Sequence, residues 1–152
     1  MASRFVTRRF IEFADTDMAG IVHFSQFYRY MEAAEHQFFR SLGLPMHRNH
    51  PDRMEGWARV HASCDFSRPL TYGDTAEIEI RICERGDKSL TYQFLFRRLD
   101  ANDQAEQPPV ARGVMKTVYV TRGPGDSRIR AATIPAAVAA KLAVDPQANE
   151  DT

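Results

Sequence analysis

Phe13-Ala14-Asp15-Thr16-Asp17-Met18-Ala19-Gly20-Ile21-Val22-His23-Phe24 separates two different periodicities. Upstream, Phe5 to Phe13 is β-prone, with Ile11 and Phe13 on one face and Glu12 on the other. Downstream, Phe27, Tyr30, Met31, Ala34, Phe38 and Leu42 recur at helical spacing, while Arg29, Glu32, Glu35, His36 and Arg40 take mostly other positions. The stretch therefore reads as strand, turn, helix. Ser25 is the expected N-cap and Gly43 with Pro45 the stop, which predicts a helix of about five turns. Two carboxylates, Asp15 and Asp17, sit where the helix begins. A helix N-terminus carries unpaired N–H groups and the positive end of the dipole, so the segment pairs a base or nucleophile with donors for a developing oxyanion. That combination suits acyl transfer.

The rest of the chain is strand-patterned. Ala58, Val60, Ala62, Cys64 and Phe66 alternate, and Ala76, Ile78, Ile80 and Ile82 alternate against Glu77, Glu79 and Arg81. Leu90, Tyr92, Phe94 and Phe96 repeat the pattern, and Val110 to Val120 completes it, with Gly113 marking a bulge or a close backbone approach. Turns are expected at Tyr72-Gly73-Asp74, Arg85-Gly86-Asp87 and Asp100 to Pro109, and a short Ala-rich helix at Pro135 to Leu142. The class is α+β, one long helix against a five-stranded antiparallel sheet. Residues 1–144 are expected to form a single domain and residues 145–152 a flexible tail. One helix covers one face of such a sheet and leaves edges open, which points to oligomerisation.

Composition narrows the function. The 152 residues contain 20 Lys plus Arg and 20 Asp plus Glu, so no global field attracts nucleic acid. No apolar run reaches membrane-spanning length, and Cys64 and Cys83 lack metal or redox spacing, which suits a reducing cytoplasm.

Asp15-Thr16-Asp17-Met18-Ala19-Gly20-Ile21-Val22, the aromatic helix opening at Phe27-Tyr28-Arg29-Tyr30, and the turn Pro69-Leu70-Thr71-Tyr72-Gly73-Asp74 together resemble the 4-hydroxybenzoyl-CoA thioesterase family of hotdog-fold acyl-CoA thioesterases. The resemblance runs from about Phe5 to Pro135. It implies a sheet wrapped round the long helix, a homodimer with a continuous sheet across its interface, pairing into a homotetramer, and active sites shared between protomers. It also implies acyl-CoA as substrate, with no cofactor. Asp17 matches the family's catalytic carboxylate, as nucleophile or general base, whereas Asp15 matches no catalytic position. Asp is ionised at neutral pH and a helix N-terminus favours its anion further, so Asp17 suits attack better than proton donation.

Gly20 belongs to the matched motif, and the backbone near His23 and Phe24 is the expected oxyanion donor. Relatives often carry Tyr, Trp or His near position 24, so His23 is a second catalytic candidate, to orient water or protonate the leaving thiolate. Trp57 stands where relatives contact the acyl group. Lys88 and Ser89, in the turn Arg85-Gly86-Asp87-Lys88-Ser89, match a basic turn that contacts the nucleotide in related thioesterases. Lys supplies a point charge and Ser a hydroxyl donor for phosphate. Arg128 and Arg130 read as solvated loop charges.

Other constellations have simpler readings. His47, His50 and Asp52 form no matched ligand set, so no metal is expected. Glu32 and Glu35 fall mid-helix, on a solvated face or at an interface, with Glu32 in reserve as a helical catalytic carboxylate. The expected activity is hydrolysis of an acyl-CoA thioester. The alternatives are a hotdog dehydratase of hydroxyacyl thioesters and a non-catalytic acyl-CoA or acyl-carrier-protein binding module.

Overall fold

The helical stripe seeks one apolar partner, and the strands provide it. In a computed structural model of the protein, which describes residues 1–150, β1 (Arg4–Phe10) leads through a 3-10 turn (Phe13–Asp15) into α1 (Phe24–Ser41). Then follow β2 (His47–Asn49), β3 (Met54–Phe66), β4 (Thr75–Arg85), β5 (Ser89–Arg98), β6 (Ala111–Arg122) and β7 (Arg130–Ala131). A four-residue α2 (Ala136–Ala139) and a second 3-10 turn (Pro146–Asn149) complete the order. All strands join one antiparallel sheet in the order β1-β4-β5-β6-β3-β2, with β7 paired to β6. The α+β class holds, but the sheet has seven strands, not five. The five long strands match the alternating segments of the sequence. The two additions, of three and two residues, are too short to show periodicity.

Phe27, Tyr30, Met31, Ala34, Phe38 and Phe39 of α1 are all buried. Phe38 stacks on Phe5 of β1, Phe27 meets Phe66 of β3 and Phe96 of β5, and Phe39 meets Trp57 of β3. One helix, about 10–12 Å across, thus reaches both flanks of a sheet whose five long strands, at about 4.8 Å spacing, span roughly 19 Å. The sheet must curl round the helix to make those contacts. Gly113 permits the closest approach: a Cβ there would lie 2.3 Å from Met31 Sδ. The β5–β6 register runs unbroken through Gly113, so of the two expectations for it, close approach is the one realised.

Several local readings change. Strand β1 ends at Phe10: Ile11 makes one last pairing step, its N–H donating to the Asp74 carbonyl (2.9 Å), and the chain then turns at Glu12, whose N–H is capped by the Asp15 carboxylate (3.1 Å). The N-cap of α1 is His23, not Ser25, since the His23 ring accepts the Ser25 backbone N–H. In β3 the register shifts between Arg59 and His61, and the alternation expected through Val60 and Phe66 breaks: these side chains are 58% and 47% exposed. β2 pairs β3 only over Met54 to Gly56, which leaves the remainder of the β3 outer edge open. The segment expected to start a tail at Asp145 folds back through Glu150: Asp145 N–H donates to the Ile82 carbonyl (2.8 Å) and Ala148 is buried. Residues 151–152 lie outside the described residues.

Candidate active site

Between the first 3-10 turn and α1 the chain makes a tight hairpin. Asp17 N–H donates to the Ile21 carbonyl (2.9 Å), Gly20 N–H to the Asp17 carbonyl (3.0 Å), and Thr16 bridges Val22. Gly20 has φ +80°, a left-handed conformation that a Cβ penalises, so glycine suits the turn. The hairpin is tied down on two sides, by Val22 N–H to the Leu70 carbonyl (2.8 Å) and by His23 N–H to the Asp15 carbonyl (2.9 Å).

The Asp17 carboxylate keeps one oxygen inside the turn, where Oδ1 accepts Ala19 N–H (2.9 Å) and Ile21 N–H (3.4 Å). Oδ2 accepts no hydrogen bond among the described residues. Asp17 lines a cavity of 420 Å³ whose other walls include Phe24 and Phe27 of α1, Phe66 at the end of β3, and Arg68 and Leu70 beyond it. Arg68 is the one cation of that lining, and its guanidinium also donates to the Pro108 carbonyl. Sequence reasoning missed Phe66 and Arg68. The available signal was an aromatic residue ending an alternating strand just ahead of the Pro69-to-Asp74 turn.

The oxyanion donors expected near His23 and Phe24 separate in the structure. His23 N–H is engaged by Asp15, whereas Phe24 is the first residue of α1, and its N–H meets no backbone carbonyl among the described residues. Phe24 also lines the cavity. The His23 ring works as a cap: Nδ1 lies 2.7 Å from Ser25 Oγ and accepts Ser25 N–H at 3.3 Å. An accepting Nδ1 places the ring proton on Nε2. The ring stacks on Phe24, with centroids 4.7 Å apart.

The other candidates lie elsewhere in the same chain. Lys88 lies in the β4–β5 turn and Ser89 opens β5, at the far end of the 11-residue β4 from Asp74, a strand of about 36 Å contour length at 3.3 Å per residue. Trp57 belongs to that distal end too, because its partner Tyr119 donates its N–H to the Lys88 carbonyl (2.8 Å). There Trp57 is buried against Phe39 and Tyr119 and lines a separate cavity of 340 Å³ with His47, Arg48 and Lys141. One chain therefore gathers Asp17, Gly20, His23 and Phe24 at one end and Trp57, Lys88 and Ser89 at the other.

Away from these ends, His47 Nε2 lies 3.0 Å from Asn49 Oδ1 and His50 Nε2 lies 3.7 Å from Glu55, and no cluster of three potential metal ligands occurs among the described residues. Glu35, expected on a solvated face or at an interface, is 0% exposed and paired with Arg59, while Glu32 stays exposed. Arg130 pairs with Asp126 in the β6–β7 loop, and Arg128 is exposed. Among the described residues, no helix is long and apolar enough to cross a membrane.

Comparison with known proteins finds relatives among coenzyme A thioesterases. A 1,4-dihydroxy-2-naphthoyl-CoA hydrolase of Prochlorococcus marinus (strain MIT 9313) is 31% identical over 101 residues, 59% of this chain, and the chain spans 64% of that enzyme, just under two thirds of its length. The structure of 4-hydroxybenzoyl CoA thioesterase from Pseudomonas sp. strain CBS-3 superposes with a TM-score of 0.76 at 25% identity, covering 92% of this chain and 99% of that one. That of a gentisyl-coenzyme A thioesterase gives 0.71 at 27% identity, covering 89% and 99%. The family description "Thioesterase-like superfamily" matches residues 11–142, and with a curled antiparallel sheet round one main helix, the chain belongs to that superfamily and has its hotdog fold.

Proposed function

We propose that the protein hydrolyses acyl-CoA thioesters, with Asp17 as the essential carboxylate. The observation that carries this reading is the unpartnered Asp17 Oδ2 on the wall of an apolar cavity that also contains the first residue of α1. The thioester carbonyl oxygen rests on Phe24 N–H, where the helix dipole and the free amide favour the charge that develops on it. Two routes share this geometry. In one, Oδ2 attacks the carbonyl carbon, the C–S bond breaks, coenzyme A leaves as thiolate, and water cleaves the acyl anhydride. In the other, Oδ2 removes a proton from water as that water attacks.

The aromatic walls formed by Phe24, Phe27 and Phe66 suit a planar aryl acyl group. The named relatives act on hydroxyaryl-CoA thioesters, which supports the same class here. The dehydratase alternative needs a histidine free to act as base, whereas His23 is occupied as a cap.

Asp17 and Lys88 serve one substrate only if they come from different protomers. A homodimer formed by antiparallel pairing of the open β3 edges brings the partner's Trp57 and Lys88 end toward the Asp17 end. The exposed Val60 and Phe66 on that strand support the interface, and the dimer pairs further into a tetramer. Two free thiols, Cys64 and Cys83, suit a reducing cytoplasmic setting. The test is Asp17→Asn in a thiol-trapping assay over short, long and aryl acyl-CoAs. Loss of turnover in the folded variant is expected, and unchanged turnover removes Asp17 from the mechanism. Single-turnover hydrolysis in ¹⁸O-water tests the nucleophilic route, since label in Asp17 arises only from an anhydride cleaved at the Asp17 carbonyl carbon.

A further inference from the structure

Asp15, two residues before the reactive carboxylate, is a carboxylate only 6% exposed, buried at the base of the turn. Its carboxylate Oδ2 accepts Glu12 N–H (3.1 Å), and its own N–H donates to the Glu12 backbone carbonyl (3.0 Å). Its backbone carbonyl accepts His23 N–H (2.9 Å) at the N-cap of α1. Its side chain also faces the buried Tyr30 hydroxyl in the second turn of α1, and the Arg9 guanidinium from β1 lies 5.3 Å above the Tyr30 ring. One residue therefore closes the 3-10 turn through its carboxylate and meets the helix N-cap through its main chain, with Tyr30 and Arg9 beside it.

Between the two anchor points of Asp15 and His23 runs the hairpin that carries Asp17. The main-chain carbonyl of residue 15 occupies the His23 N–H, which leaves Phe24 N–H as the first free amide beside the cavity, and the Asp15 carboxylate sets where that carbonyl lies by holding Glu12 N–H. We propose that Asp15 is the positioning residue of the site: by locking the Asp15–His23 hairpin to α1, it fixes Asp17 Oδ2 relative to the Phe24 N–H. This rests on the thioesterase reading of Asp17. Asp15 itself touches neither the cavity lining nor the reacting atoms.

A small displacement of a reacting group costs far more in turnover than in ground-state binding. The test measures kcat and KM for Asp15→Ala, Asp15→Asn and Tyr30→Phe with an aryl-CoA thioester, each also in an Asp17→Asn background, beside thermal melting. Asp15→Ala is expected to lower kcat by about 10- to 100-fold while KM stays within about threefold. Asp15→Asn keeps an oxygen for Glu12 N–H and recovers most of that loss, and it carries the test if Asp15→Ala fails to fold. The double variants should be no slower than Asp17→Asn alone, because Asp15 acts through Asp17.

A folded Asp15→Ala enzyme with kcat within twofold of the parent overturns the proposal. So does an effect that multiplies fully in the Asp17→Asn background, or one confined to KM. If Asp17→Asn alone retains full turnover, the thioesterase assignment of Asp17 fails first, and a kcat loss in Asp15→Ala then overturns the positioning role as well.

Discussion

Glu35 Oε2 and Arg59 Nη2 lie 2.7 Å apart, joining the middle of α1 to the edge strand β3 at its irregularity. Glu35 is wholly buried, with the Tyr92 hydroxyl facing it and Glu32 nearby. Burial pushes its carboxyl up to about 7, against the pull of Arg59. In the unfolded chain Glu35 ionises near 4.5, so between these values the folded state binds more protons. The contribution to stability is complete below pH 4.5 and is lost as pH rises through 7. A shift of this size corresponds to up to about 3 kcal/mol, at 1.36 kcal/mol per unit. Urea unfolding of Glu35→Gln and the parent from pH 5 to 8 should show their difference growing in favour of the variant as pH rises. A constant difference across that range would contradict the assignment.

Arg59→Ala is the converse. It leaves a buried carboxylate without its cation, and breaking such a pair costs about 3 kcal/mol at pH 8, the low end for buried pairs because Arg59 is partly exposed. At pH 5.5, where Glu35 is protonated, the loss should shrink to about 1 kcal/mol or less.

His23 is expected to matter for stability more than for chemistry. Its ring caps α1, so His23→Ala should lower stability by about 0.5–2 kcal/mol, while His23→Asn or His23→Ser restores most of it. Turnover of His23→Asn should stay within about threefold of the parent. A drop of 100-fold or more, with melting unchanged, would return His23 to the mechanism.

Lys88→Ala should raise KM more than it lowers kcat, because the nucleotide is remote from the reacting carbonyl. The proposed shared site adds a sharper measurement. Mixed dimers of Asp17→Asn and Lys88→Ala chains contain one site with both lesions and one with neither. Unfolding and refolding the two together should regain turnover with parental KM, at about half the parental activity per mixed dimer. Mixed dimers that keep the raised KM of Lys88→Ala would place Asp17 and Lys88 of one chain in the same site and overturn the shared arrangement.

Gly113→Ala should cost about 1–3 kcal/mol through overpacking, since the new methyl meets Met31 Sδ. In a Met31→Ala background the same change should cost less. Chemical denaturation of the two single variants and the double variant measures that coupling.

Much of this was legible before any coordinates. The change of period at Asp15 to Gly20 located the helix, and the β-prone segment before it with four alternating runs after it located the five long strands, because both periodicities depend only on which side chains seek the core. Short pairings such as β2 and β7 carry too few residues for a period. The Glu35–Arg59 pair was hidden for a different reason: a helical glutamate looks solvated until a cation from a distant strand is brought beside it. The candidate site was half visible. Asp17, Gly20 and Phe24 are close in sequence, and their turn is local chemistry. Phe66 and Arg68 enter the same cavity only because β3 ends beneath the start of α1, which no local pattern records.

Beyond Gly56, β3 presents a row of unsatisfied main-chain groups flanked by Val60 and Phe66. A newly made chain with such a margin is adhesive toward any extended polypeptide it meets, including another copy in the wrong register. The kink between Arg59 and His61 interrupts the margin and rejects flat, indefinite stacking, because only a mate with a matching interruption lies flush along it. In the proposed β3-edge dimer, protection of the nascent chain and choice of mate thus fall to the same one-residue irregularity.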